Sequence, residues 1–578
     1  MQSRIHLRKG GRNMSEVQVD KRWLKNYDRN VKPALDYETK TYVEKFREVV
    51  EAYPDKVALI YMGKRLTFRE LDDLSDRVAR YLVQCGLKPD DVVGLHLPNI
   101  PAHYISIVGI QKAGCVSTGL SPLLTPGELV NQIRDSGTKM IFTIDLLFGK
   151  IAEIADRIDT GTVVVSGIAD FLPGMKRILG TLLKKIPTAE VTPLAGKKTL
   201  KFMDVIRETP SGPVDVKRGF DDAIFIMYTG GTTGPAKGAV LTQRSYMCNR
   251  QQVLAWTDIL AEDTILSAFP LFHIAGLALG GFSMAHGTTQ VCVPNPRDTH
   301  FIIEAIKACK PHYIVNVPTV FYELMKNPEF RRLDLKNLKW CLSAAAPFPK
   351  ESIGELEAII GKGNFIELYG MTETSPVTCC NPRYGVKKAG SIGMPVPDTE
   401  FVLIDPGTGQ PVKQGEPGEI AVRGPQLMKE YFRKPEETAR AIRNGWLFTG
   451  DIAIMDEDGY FFIVDRLKDM VIVSGFKVFT RELDEVLVNH PDIAQAASVG
   501  IPDPERPGSE RVASAIILKP GVEKTDSQKD AIIQYLKEHV ASYKIPKRIE
   551  FMDELPTSGV GKVLKREIKA MMMESKKD

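Results

Sequence analysis

The chain has 578 residues, too many for a single hydrophobic core, so more than one domain is expected. With 43% hydrophobic and 26% charged residues it has the composition of an ordinary soluble globular protein, and a net charge of +4 argues against wholesale nucleic-acid binding. Its 8 cysteines are scattered, with no Cys-x-x-Cys pair, which favours reduced thiols in a cytoplasmic protein over a disulfide frame or a zinc site.

The first residues, MQSRIHLRKGGRN, are basic but lack the apolar core of a signal peptide, and Met14 opens a more ordinary sequence. Residues 1–23 are therefore expected to form an N-terminal arm. In the large domain expected over 24–465, short apolar runs alternate with amphipathic helical patterns from about residue 40, as in Val92 to Leu97, Ala102 to Ala113 and Met140 to Ile144. This alternation predicts an α/β fold class, a large domain of parallel sheets covered on both faces. Residues 173–186 place Met175, Ile178, Leu179, Leu182, Leu183 and Ile186 on one helical face, with Lys176, Arg177, Lys184 and Lys185 mostly elsewhere. Such a helix either packs on its own domain or lies on an anionic membrane surface.

Asp222-Ala-Ile-Phe-Ile-Met reads as a buried strand, and the loop that follows it, 228–238, holds four glycines, three threonines and one lysine. Glycine lets the backbone approach an anion, amides and hydroxyls donate to it, and an ammonium supplies charge, so a polyphosphate is the expected ligand. Lys237 follows Ala236 and precedes Gly238, so this is not a Walker A sequence. Thr264 to Pro296 contains no Asp, Glu, Lys or Arg, yet its proline, histidines and glycines fit strand–helix–strand in a core rather than a membrane span. Beyond it come a helix from Thr299 to Lys310, apolar runs at His312 to Val317 and Leu338 to Ser343, and a β-rich subdomain from about 395 to 465. Residues 466–578 read as a small, mobile α+β domain joined through the charged run Asp465-Arg-Leu-Lys-Asp469.

Several segments could complete a nucleotide site. Pro270-Leu-Phe-His273 sets a histidine at the end of an apolar run, and Ser343-Ala-Ala-Ala-Pro347 is a small-residue turn against which a flat ring could lie. Tyr369-Gly-Met-Thr-Glu-Thr374 offers an aromatic face, hydroxyls and one carboxylate; an acid beside phosphate is repulsive unless a cation intervenes, so Glu373 implies Mg²⁺. Asp451, at the end of Gly445-Trp-Leu-Phe-Thr-Gly-Asp451, suits the hydroxyls of a ribose, while Arg466 and Lys562 add cations.

These motifs, with Leu66-Thr-Phe-Arg-Glu-Leu71 and Gln111-Lys-Ala-Gly114, resemble in order and over nearly the whole chain the AMP-forming acyl-CoA synthetase family. The resemblance implies attack of a carboxylate on the α-phosphorus of ATP, release of pyrophosphate, and displacement of AMP by coenzyme A. It implies that Thr229, Gly230, Gly231, Thr232, Thr233, Gly234 and Lys237 hold the β- and γ-phosphates. It likewise puts Ala345, Ala346, Tyr369 and Gly370 around adenine, Asp451 on the ribose, and Arg466 on the ribose or phosphates. His273, Thr372, Glu373 and Lys562 make the catalytic set, with Glu373 the metal ligand, Lys468 the hinge and Gly475 the lining of the coenzyme A tunnel. Gly230 stands where the family usually has serine, and Thr480 where proline is frequent.

Ile274 to Pro294 contains no acid to pair a substrate ammonium, so an apolar acid is favoured, and an unpaired ammonium would be costly to bury. Ala275, Gly276, Ala278, Gly280 and Gly281 either leave room for a long tunnel or serve helix packing. Together with the 173–186 segment, this points to a long-chain fatty acid as first choice. Medium-chain or aryl acids, a different acceptor, and a non-catalytic nucleotide-binding protein are the alternatives. The expected partners are the small molecules fatty acid, ATP and coenzyme A, with membrane contact through 173–186 and a homodimer left open.

Overall fold

Thr162-Val-Val-Val-Ser is β-branched throughout its middle and apolar on both faces, which suits a strand covered on both sides, and it lies inside an eight-stranded sheet. The structure is a computed structural model that describes residues 18–183, 185–229, 236–473, 476–504, 509–557 and 563–574. The eight-stranded sheet is parallel through Val116–Gly119, Val92–His96, Met140–Ile144, Thr162–Ser166 and Lys198–Lys201. Its other edge turns antiparallel at Ala223–Thr229, Lys237–Thr242 and Glu430–Tyr431. A second, nine-stranded sheet is parallel from Val57–Tyr61 through Thr289–Cys292, Thr264–Ser267, Tyr313–Asn316 and Trp340–Ser343 to Phe365–Gly370. The expected α/β class with parallel sheets is present, and so is the strand–helix–strand reading of Thr264 to Pro296, with helix Ile274–Met284 in the middle.

Two of the sequence motifs hold helices in place. Leu66-Thr-Phe-Arg-Glu-Leu71 contains a capping box: Thr67 Oγ1 accepts from Glu70 N at 3.1 Å, and Thr67 N donates to Glu70 Oε2 at 2.8 Å. It starts helix Phe68–Gln84, which packs on helix Pro101–Lys112. At the end of that second helix the buried Lys112 ammonium lies 2.6 Å from both Asp72 Oδ1 and Asp76 Oδ1, and Gln111 Nε2 donates to Ile224 O at 3.0 Å. A buried ammonium is tolerated only with such partners, so this end of the helix is fixed by charge as well as by packing.

Short strands after residue 395 form a five-stranded antiparallel sheet from Glu400–Ile404, Gly418–Arg423, Ile442–Arg443, Trp446–Met455 and Phe461–Arg466. Trp23, near the start of the described chain, is buried against Phe461 with ring centroids 5.9 Å apart. Beyond residue 470 the apolar side chains fill cores of their own: Val471, Leu483, Leu487, Ile516, Ile532 and Leu536 pack together around strands Ile493–Pro502, Glu510–Leu518 and Arg548–Phe551.

Helix Gly174–Leu182 differs from the domain-packed alternative. Met175, Ile178 and Leu182 are 77%, 62% and 74% exposed, and Leu179 and Leu183 are exposed beside them, while Lys176 Nζ donates to Met62 O at 3.0 Å. Its apolar face therefore points to solvent rather than into a core. Among the described residues no helix is long and apolar enough to cross a membrane.

Candidate active site

Strands Ala223–Thr229 and Lys237–Thr242 are antiparallel neighbours, with Thr229 directly opposite Lys237 and Thr229 Oγ1 donating to Lys237 O at 3.4 Å. The glycine–threonine loop is thus the connection of a hairpin. A Walker A loop leads into a helix, so the difference noted in the sequence is also one of architecture. Gly230, Gly231, Thr232, Thr233 and Gly234 lie outside the described residues, as do Gly475 and Lys562. Lys237 Nζ stands 4.6 Å from the ring centroid of Tyr431 and 3.4 Å from Glu437 Oε2.

Tyr431 joins this lysine to Glu373. The tyrosine hydroxyl donates to Glu373 Oε1 at 2.7 Å, and Met428 N donates to Glu373 O at 2.8 Å. Glu373 is only 6% exposed, in the short 3₁₀ turn Thr372–Thr374 that follows strand Phe365–Gly370, and Thr372 is buried next to it. Burial raises the Glu373 carboxyl above its ordinary range; the Tyr431 hydrogen bond and the Lys237 charge oppose that rise, and the Asp451 charge adds to it.

A second cluster begins four residues earlier in the same segment. Tyr369 OH donates to Asp451 Oδ2 at 2.6 Å, and Arg466 Nε lies 3.1 Å from Asp451 Oδ1. Asp451 and Arg466 face one another across the antiparallel strands Trp446–Met455 and Phe461–Arg466, so sheet register delivers the pair. Burial, with the Asp451 charge behind it, drives the Tyr369 hydroxyl well above its ordinary range, so it remains a donor. Gly370 lies so close to the chain beyond it that a Cβ would meet Pro376 O at 2.0 Å. Ala345 and Ala346 follow strand Trp340–Ser343, the parallel neighbour of Phe365–Gly370, so the alanines and Tyr369 share the carboxyl ends of adjacent parallel strands. Ala345 is one of few non-glycine residues with positive φ, at 70°.

His273 serves as the N-cap of helix Ile274–Met284, its Nδ1 accepting from Ala275 N at 3.3 Å. The glycines of that helix serve packing rather than a tunnel. A Cβ at Gly276 would meet Pro270 O at 2.2 Å, and one at Gly281 would meet Tyr246 OH at 2.0 Å. Lys468 follows the Asp451–Arg466 pair, and burial together with the Arg466 charge pushes its ammonium below the usual lysine range.

Sequence reasoning missed Tyr431, Glu437 and Glu367. Tyr431 reaches Glu373 only because Glu430–Tyr431 adds to the sheet edge beside Lys237–Thr242, a pairing of segments far apart in the chain. Glu367 Oε1 accepts from Phe348 N at 3.1 Å, and burial pushes its carboxyl up to about 7, with Phe348 N and the Arg481 charge opposing.

The family model of the AMP-binding enzyme matches residues 46–432, and that of the AMP-binding enzyme C-terminal domain matches residues 482–562. The chain is 35% identical over 564 residues to a long-chain-fatty-acid–CoA ligase of Bacillus subtilis (strain 168), covering 96% of this chain and 98% of that one. It is 32% identical to a feruloyl-CoA synthase of Amycolatopsis sp over 89% of this chain and 96% of the relative. Its fold superposes on an anthranilate CoA ligase crystallised with anthranoyl-AMP with a TM-score of 0.80 at 25% identity, covering 93% of this chain and 98% of that one.

Because the folded protein holds the Glu367 proton more tightly than the unfolded chain, the resulting stability is complete below the ordinary value of 4.5 and is lost as pH rises through about 7. The stability difference of Glu367→Gln over the parent is expected to grow by about 2 kcal/mol between pH 5 and pH 8. Denaturant titration at the two pH values measures it. An offset that does not change with pH would show that this carboxyl is not perturbed.

Proposed function

The chain belongs to the AMP-binding enzyme family, and we propose that it activates a long-chain fatty acid with ATP to an acyl-adenylate and then transfers the acyl group to coenzyme A. In the first step a carboxylate oxygen of the acid attacks the α-phosphorus and pyrophosphate leaves. In the second the coenzyme A sulfur attacks the acyl carbonyl and AMP leaves. The observation that carries this reading is the convergence of Lys237, Glu373, Tyr369, Asp451 and Arg466 from three different sheets.

Each role follows from the chemistry of the group. In-line attack brings anion to anion, so positive charge at fixed positions lowers the barrier most. The 229–237 loop, with Lys237 at its end, would hold the β- and γ-phosphates that depart, and Thr372 would touch the α-phosphate. Asp451, held by Tyr369 and Arg466 on its two oxygens, would accept the ribose hydroxyl protons. Tyr369, Gly370, Ala345 and Ala346 would flank adenine. His273 would stand on the acyl side, since it caps the apolar helix Ile274–Met284. Lys562 would bridge the carboxylate and the nucleotide in adenylation alone.

The donor set fits magnesium. Glu373 is a buried carboxylate whose described side-chain donor is a single tyrosine hydroxyl, and Mg²⁺ is commonly held by one or two carboxylates with substrate phosphates supplying the rest. Among the described residues no cluster of three His, Cys, Asp or Glu side chains stands ready to hold a metal unaided, in keeping with a shared ion. When bound, it would neutralise phosphate charge at the reacting centre.

We divide the chain into a large domain over 24–465 and a small one over 466–578, turning about Lys468, with Gly475 reaching the coenzyme A tunnel after the turn. The long-chain preference draws on the named relatives and on the acid-free stretch from Ile274 to Pro294. It draws as well on the exposed apolar face of helix Gly174–Leu182, which with Lys176, Arg177 and Lys185 suits an anionic bilayer where such acids partition.

Pyrophosphate release and coenzyme-A-dependent AMP formation should both appear across a panel of acids and peak with long chains. A peak with aryl acids would move the substrate toward that of the feruloyl relative, and no pyrophosphate with any acid would end the enzymatic reading. Lys562→Ala should slow adenylation by on the order of 10²–10³ while a preformed acyl-adenylate still reacts with coenzyme A. Equal loss in both steps would refute the assigned role. Serine at Met175, Ile178 and Leu182 together should abolish cosedimentation with vesicles of anionic phospholipid and spare activity on a soluble short acid; unchanged cosedimentation would exclude this helix as the contact.

A further inference from the structure

Position 480, where the family frequently has proline, is threonine in this chain, and both of its polar groups are engaged. Thr480 N donates to Asp465 Oδ2, and the Thr480 hydroxyl lies 3.3 Å from Asp465 Oδ1 and 3.2 Å from Asp465 Oδ2. The same hydroxyl accepts from Lys565 Nζ at 2.7 Å. A hydroxyl has one proton and two lone pairs, so it can accept from the lysine while donating to the aspartate. Lys565 Nζ continues to Asp484 Oδ2 at 2.7 Å, and Asp484 Oδ1 accepts from Ser498 N at 2.5 Å.

Asp465 and Thr480 are buried, so these bonds are shielded from water and hard to replace. Burial raises the Asp465 carboxyl, and the Lys565 charge with the backbone donors of Arg466 and Thr480 opposes the rise. A proline at 480 has no N–H and no hydroxyl. It would leave Asp465 only the neighbouring Arg466 N, at 2.7 Å, among these donors. Asp465 precedes Lys468 in the chain, whereas Thr480, Asp484 and Lys565 follow it. If the small domain turns about Lys468, the Asp465–Thr480 bonds cross the hinge and cannot survive a large rotation.

We propose that Thr480 is a positioning residue, a two-bond latch from Asp465 to Lys565 that holds the small domain in one of its two working orientations and so sets the balance between adenylation and thioester formation. The proposal rests on the hinge reading given above. Lys565 begins helix Lys565–Glu574 and stands three residues after Lys562, so the latch also ties the hinge to the segment that leads from that lysine.

A latch that favours one orientation acts on the two half-reactions unequally, which a purely structural residue does not. Pyrophosphate release and the reaction of preformed acyl-adenylate with coenzyme A should be timed separately in the full-length enzyme. Thr480→Pro should change the ratio of the two rates by on the order of tenfold, since it removes two hydrogen bonds to a carboxylate. Thr480→Val, which keeps the N–H and the shape, should move the ratio part of the way, and Thr480→Ser should restore the parent ratio. Lys468→Pro tests the underlying hinge by slowing thioester formation and sparing adenylation. A Lys468→Pro split with unchanged ratios in Thr480→Pro and Thr480→Val would overturn the latch and leave the hinge standing. Equal losses in both steps for Lys468→Pro would overturn both.

Discussion

Glu373 carries its carboxylate where water hardly reaches, and most of the site can be understood as the response to that placement. Ionising a buried acid is costly unless opposite charge or hydrogen-bond donors lie close by. Tyr431 supplies a hydroxyl at 2.7 Å, Lys237 sits over the same tyrosine ring, and the charge of Asp451 works in the other direction. Its carboxyl therefore sits above the ordinary range near Lys237, and under the proposed function a divalent cation shared with a polyphosphate would offset its charge.

The three sheets are what bring these groups together. Lys237 and Tyr431 come from the antiparallel edge of the eight-stranded sheet, Tyr369 and Glu373 from the carboxyl end of a parallel strand in the nine-stranded one, and Asp451 and Arg466 from the antiparallel sheet beyond. Parallel strands end at one edge together, so the alanine turn after Ser343 and the aromatic ring of Tyr369 lie side by side without any local signal requiring it. The antiparallel register of Asp451 with Arg466 then sets the guanidinium on one carboxylate oxygen, and the Tyr369 hydroxyl takes the other. Strands hold Lys237, Tyr431, Tyr369, Asp451 and Arg466, and Glu373 sits in the short 3₁₀ turn just beyond one of them, so regular elements fix most of the geometry.

Departures from the family pattern are most informative where the structure gives them a use. Thr480 replaces an imino acid with a residue that adds two donors, and both reach a buried aspartate just before the proposed hinge. The glycines of Ile274–Met284 show the opposite case: small side chains that look like room for a substrate are instead filled by Pro270 O and the Tyr246 hydroxyl. Helix Gly174–Leu182 is a third. An amphipathic pattern fixes which side chains share a face but not what that face meets, and only the folded chain leaves it in solvent.

Local patterning was enough to read the alternation of strands and helices, the α/β class and the strand–helix–strand run from Thr264 to Pro296, while the order of the motifs singled out Glu373, Asp451 and Arg466. Periodicity, turn residues and short motifs are properties of neighbouring residues, and they survive being read one segment at a time. Tyr431, Glu437 and Glu367 were invisible at that level, because a tyrosine on a two-residue edge strand or a glutamate in a strand carries no signal of its own. Their roles come from pairings between segments separated by tens to hundreds of residues, and from burial, which shifts the Glu367 and Glu373 carboxyls by stripping away water. The chain therefore declared which chemical groups it would use, and tertiary packing decided which of them meet and in what state of charge, because proximity and desolvation exist only once the sheets have assembled.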